Sequence, residues 1–225
     1  KMWFYIIGGL SFLASLLIRG WLSTAYRKWG AVPNARGLSG AVASRAILRA
    51  NGLDEVGVQA VRGKLTDHYD PRSKSVRLSE SNYRDESVAA LAVAAHETGH
   101  ALQDAQGYGF MRLRSALVPL ANLSSRVGPY AFVYGMVGGS ALILQVGALL
   151  FAGAVLFHLV TLPVEFNASR RALRQIERLG LVSDAEHDGA KKVLFAAGMT
   201  YVSAAATSFA YLAYMLAWSR RGRGR

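Results

Sequence analysis

Charge vanishes from this chain in blocks, and the blocks set its plan. From Met2 to Ile18 no side chain is charged; Arg19, Trp21, Arg27 and Lys28 follow. The block lies near the lower limit of about 17 residues for a helix that crosses a bilayer. No small-x-small cleavage pattern follows it, so 2–18 is expected to be an uncleaved anchor. A second uncharged block runs from Val127 to Val164, too long for one span of about 20 residues. "VGGS" at 137–140 interrupts it, which predicts a transmembrane hairpin over 117–163 with spans at 117–137 and 141–163. The last block, "VLFAAGMTYVSAAATSFAYLAYMLAW", covers 193–218 and leads into a basic tail, 219–225.

Between these blocks the pattern changes period. Residues 20–112 read as the soluble part. Ser39 caps a helix that stops at Asn51-Gly52. "VGVQAV" and then "GKLTDHYDPRSKSVRLSE" alternate as short strands, with a turn at Asp70-Pro71. Asp85 and Glu86 open a helix over "SVAALAVAAHETGHALQDA", which holds no proline and a single glycine, Gly99. Residues 164–192 carry Arg170, Arg171, Arg174 and Arg178 on a further helix. The expected fold is a mainly α integral membrane protein with a small β-hairpin element beside that alanine-rich helix.

Composition sharpens this. Hydrophobic residues make up 52% of the 225, more than a soluble domain carries. There is no cysteine, which excludes disulfides and thiolate-held zinc. The net charge of +12 raises nucleic acid as a partner, but no stacking-aromatic or groove-reading motif accompanies it. The arginines flank apolar runs instead, so the expected partner is the lipid bilayer. The cations after the first span place that side in the cytoplasm.

Candidate chemistry sits in "HETGH". On a helix, His96 and His100 lie one above the other and present two imidazoles to one point, a ready site for zinc. Glu97 turns toward the same cleft, where it can take a proton from an attacking water. Gly99 costs on the order of 1 kcal/mol relative to alanine inside a helix, so a close neighbour is expected there. A catalytic zinc keeps three protein ligands and one open position. His68, His158, His187 and the acids are the candidates for the third. Glu165, in "LVTLPVEFNASRRA", stands out among them, because it heads an arginine-rich helix at the mouth of a span. His187, in "DAEHDG", reads as a solvated loop residue.

Three stretches in order, "DHYDPRSKSVRLSE", "AAHETGHALQD" and "LVTLPVEFNASRRA", resemble the YugP-like membrane-bound neutral zinc metallopeptidases over nearly the whole chain. The pattern is also similar to membrane gluzincins of the HtpX and CAAX-protease type. The resemblance implies a zincin-like active-site helix and one Zn2+ per chain. His96, His100 and Glu165 would be its ligands and Glu97 the catalytic base. It also implies a multi-pass enzyme of the cell membrane with protein or peptide substrates. The gluzincin pattern usually has aspartate four residues after the glutamate ligand; here Ser169 stands there, a weaker orienter, and Asn167 is the other outer candidate. His68, Tyr69, Arg170 and Arg171 are candidates for binding substrate or the oxyanion. The hydrophobic surroundings point to membrane proteins or lipophilic peptides as substrates. A non-catalytic membrane scaffold and a metal-binding protein on the same fold are the rival readings.

Overall fold

A computed structural model describes residues 2–221. Its elements are α1 (Met2–Gly30), α2 (Gly40–Ala50), β1 (Gly57–Val61), β2 (His68–Asp70), β3 (Ser75–Ser79), α3 (Glu80–Arg84), α4 (Val88–Ala105), α5 (Gly109–Val137), α6 (Ala141–Arg178) and α7 (Asp184–Arg221). The fold is mainly helical with one small sheet. Two compact units divide the chain. One takes Lys1–Ile18, Arg112–Pro163 and Thr200–Arg225; the other takes Arg19–Met111 and Val164–Met199.

The first unit is built from apolar helices. Among the described residues three helices, α1, α6 and α7, are long and apolar enough to cross a membrane. α5 falls outside that set: Asn122, Ser124, Ser125 and Arg126 cluster within it. α5 and α6 form a helical hairpin around the turn at 138–140. Their backbones approach so closely that a Cβ built on Gly147 would stand 2.6 Å from the Phe132 backbone nitrogen. Phe132, Leu144, Ala148 and Met215 are buried together there. In the same unit the hydroxyls of Ser15 and Ser203 share a hydrogen bond of 3.2 Å. On α1, Leu10, Phe12 and Leu17 remain exposed, as suits side chains that face lipid.

The second unit is assembled around α4. Ser87 caps its start, accepting a hydrogen bond from the Ala90 N–H, a contact worth about 1 kcal/mol. One flank of α4 packs with α2, α6 and α7 through Ile47, Leu91, Leu102, Ile176 and Leu194. Another meets the sheet through Ala94, Ala101, Val76, Leu78 and Tyr69. A helix covered on more than one side must bring small residues, which accounts for the alanines along it. The sheet has the order β1-β3-β2. β2 and β3 make the expected antiparallel hairpin, with Tyr69 opposite Val76. β1 adds a parallel partner on the far side of β3, with Val58 opposite Val76. Asp67 locks the end of the hairpin, accepting from the Ser79 N–H and hydroxyl and from the Asn82 amide.

α6 belongs to both units. It runs without a break from Ala141 to Arg178 and passes from one to the other between Pro163 and Val164. Its stretch from Val164 onward is what brings acid chemistry to α4.

Candidate metal centre

α4 supplies two side chains one turn apart. His96 and His100 lie with ring centroids 4.8 Å apart at an interplanar angle of 84°. α6 supplies the third. Glu165 Oε2 stands 3.3 Å from His96 Nε2 and 3.6 Å from His100 Nε2. One ligand atom from each of the three residues lies within 4.8 Å of the others. The carboxylate is nearly inaccessible, with 2% of its side chain exposed, against 14% for His96. Access to the cluster is therefore from the His96 side.

α6 comes this close because α4 carries no side chain at Gly99. A Cβ built there would stand 2.6 Å from the Ala168 carbonyl oxygen, inside any real contact. The glycine that a helix should avoid is where the backbone of α6 passes.

The cluster fits a zinc ion. Ligand atoms about 2.0–2.1 Å from a common tetrahedral centre stand about 3.3 Å apart, close to the two separations measured to Glu165. Two imidazoles and one carboxylate are a hydrolytic donor set, and three ligands leave the fourth position open. Their outer nitrogens are also tied. His96 Nδ1 is 3.0 Å from the Ser169 hydroxyl, and His100 Nδ1 is 3.0 Å from Gln103 Oε1. Both rings therefore present Nε2 to Glu165. Burial opposes the charged form of His100, but Glu165, Glu97 and Gln103 outweigh it and raise its pKa above the usual histidine value. Glu97, buried and next in sequence to His96, has no hydrogen-bond partner among the described residues.

The other candidates scatter. His68 is exposed on β2, its Nδ1 bonded to the Thr66 carbonyl at 2.7 Å. Tyr69 is buried, and its hydroxyl donates to Asp104 at 2.8 Å. Burial and that carboxylate push the phenol well above its ordinary pKa, so it serves as a fixed donor. Arg170 is exposed. The Arg171 guanidinium donates to Asn167 Oδ1 at 2.7 Å and to Gln106, and lies 5.8 Å from the Tyr108 ring centre. Asn167 meets Gln103 and Arg171, so it stands one residue further from the rings than Ser169. His158 belongs to the first unit, its ring edge-on to Phe157. His187 corrects the reading from sequence. It lies in α7, with a buried Nε2 that has no hydrogen-bond partner among the described residues, not in a solvated loop.

Gln103 escaped the sequence reading altogether. It is fully buried and touches His100, Val164 and Asn167. The signal was a lone amide three residues after the second histidine, on the same helical face.

A protein family described as "putative neutral zinc metallopeptidase" matches residues 4–220. The chain belongs to this family. It is also 46% identical over 200 residues to a Bacillus subtilis (strain 168) protein described as "Putative membrane protease YugP", a match covering 89% of this chain and 87% of that one. No solved structure matches. The family description and the donor set of the cluster agree on the metal: zinc is what two imidazoles and a carboxylate of this spacing suit.

Proposed function

We propose that this member of the family is a membrane-embedded zinc endopeptidase, with one Zn2+ held by His96, His100 and Glu165. The observation that carries the reading is the convergence of those three donors next to a buried carboxylate, Glu97, that forms no hydrogen bond among the described residues. Zinc bound there would polarise the scissile carbonyl and bring the pKa of water toward 7. The remaining work belongs to the chain. Glu97 takes the proton of the attacking water as the new C–O bond forms, then delivers it to the departing amine nitrogen as the C–N bond breaks. The low polarity around Glu97 and Glu165 strengthens each of these interactions. The apolar helices and the membrane description of the relative support membrane proteins or lipophilic peptides as substrates.

Two substitutions separate ligand from base. Glu165→Gln replaces an anionic donor by a neutral amide and should lose the metal. Glu97→Gln should keep about one zinc per chain and lose activity by roughly 10²- to 10⁴-fold. Metal analysis of the purified variants, with proteolysis of membrane-protein substrates, reads both. If Glu165→Gln holds zinc as tightly as the parent, the ligand set is wrong. If zinc stays and no membrane protein is ever cleaved, a metal-binding scaffold is the better description.

A further inference from the structure

The hydrogen bonds behind His100 have a direction, and a carbonyl sets it. Gln103 Nε2 lies 2.8 Å from the backbone oxygen of Val164 and 2.9 Å from Asn167 Oδ1. The Val164 oxygen can only accept, so the Gln103 atom facing it is the NH2 group. Arg171 adds the same constraint from further out. Its guanidinium has no acceptor, so Asn167 must turn its oxygen toward Arg171 Nε, 2.7 Å away. That oxygen is the one Gln103 donates to. With its nitrogen committed twice, Gln103 has only its carbonyl oxygen for His100 Nδ1, 3.0 Å away. A carbonyl accepts, so Nδ1 carries the proton, and in the neutral ring that a metal binds Nε2 carries the lone pair. His96 has no such device. Its Nδ1 meets a serine hydroxyl, which donates or accepts equally well.

Resting on the metal-site reading above, we infer that Gln103 is a positioning residue for the metal centre: it holds the His100 proton on Nδ1 and so makes Nε2 the ligating atom. His100 is then the pre-set ligand and His96 the adaptable one. The oriented amide lies on the helix that carries the histidines, and its anchor, the Val164 carbonyl, is one residue before Glu165. The same contact that aims His100 thus ties the start of the Glu165 segment to α4.

The test separates aiming from packing by using two variants of the full chain, purified in detergent. Gln103→Glu and Gln103→Met both lose the hydrogen bonds donated to Val164 and Asn167, so thermal stability should fall in both. Only Gln103→Glu keeps an acceptor for Nδ1–H. Zinc affinity, measured by competition with a chromophoric chelator, should drop about 10- to 100-fold in Gln103→Met and stay within a few-fold of the parent in Gln103→Glu. Equal affinities in the two variants, whether both reduced or both intact, overturn the inference. If Gln103→Met does not fold, the parent decides. With 15N-labelled histidine and zinc bound, His100 should show a slowly exchanging proton on Nδ1, assigned by its loss in His100→Gln. A proton on Nε2 overturns the inference. A parent that takes up no zinc overturns the metal site itself, which is a different failure.

Discussion

At the scale of single residues, the site is governed by which atom each side chain is free to offer. His96 and His100 were legible because a helix repeats every 3.6 residues, so their spacing alone puts them together. Glu165 was legible only as one carboxylate among several, picked out by its place at the edge of an apolar run. Gln103 was not legible. Nothing local distinguishes an amide that aims a ligand from one that faces water, and only the Val164 carbonyl, brought in by α6, gives it a task. Two predictions belong here. The pKa of His100 is raised, so protons hold its ring at a higher pH than usual, and a metal must displace them. Zinc affinity should therefore fall as pH is lowered from 8 through the region above 6.5, earlier than for an unperturbed histidine site. Chelator competition across that range checks it, and a flat profile would count against the ligand assignment. Ser169→Ala removes only a hydroxyl from His96 Nδ1. Its cost in zinc affinity should sit at or below about tenfold, the lower end for a lost outer partner, with the melting temperature nearly unchanged.

At the scale of elements, apolar periodicity and turn residues carried most of the plan. The helix over "HETGH", the antiparallel pair around Asp70-Pro71 and the capping role of Ser39 follow from local chemistry; the Val42 N–H does donate to the Ser39 hydroxyl. The parallel pairing of β1 with β3 does not, because it depends on a crossover that no local rule fixes. The continuity of α6 through Pro163 was likewise hidden, since a proline inside a helix usually marks a boundary. The contact between α4 and α6 gives the prediction at this scale. Gly99→Ala improves helix propensity by on the order of 1 kcal/mol, yet it drives a methyl against the Ala168 carbonyl. Overpacking of that kind costs about 1–3 kcal/mol and moves the strand of backbone that carries Glu165. The variant should melt lower than the parent and hold less zinc, and metal analysis with a thermal melt measures both. A variant that melts higher and keeps its zinc would show that α6 has room to spare.

At the scale of the whole molecule, the chain leaves the second unit at Arg112 as α5, turns at 138–140 and returns as α6 at Val164. An out-and-back path of this kind lets Glu165 share a unit with His96 and His100. If the path crosses the bilayer, it must cross an even number of times. Arg19, Arg27, Lys28 and Arg36 follow the first apolar segment, and the positive-inside rule predicts that they lie on the cytoplasmic side. The 225-residue sequence has no cysteine, so a single cysteine introduced into it reports on one position. Ser73→Cys and Ser183→Cys, both at exposed positions of the second unit, should resist an impermeant thiol reagent in intact cells and react after permeabilisation. Reaction of either from outside would reverse the orientation.

The close pass of α6 over Gly99 also bears on how such motifs are spelled. Written as a pattern, two of the five letters of "HETGH" are blanks, to be filled by anything. Here the second blank encodes an address. Its missing side chain states that another backbone lies within touching distance of that turn of the helix, and Ala168, which occupies the place, is three residues from the carboxylate that the two histidines need. The letter between the ligands thus carries information about the ligand that is absent from the motif, and a search that reads it as a wildcard discards the part of the message that points to Glu165.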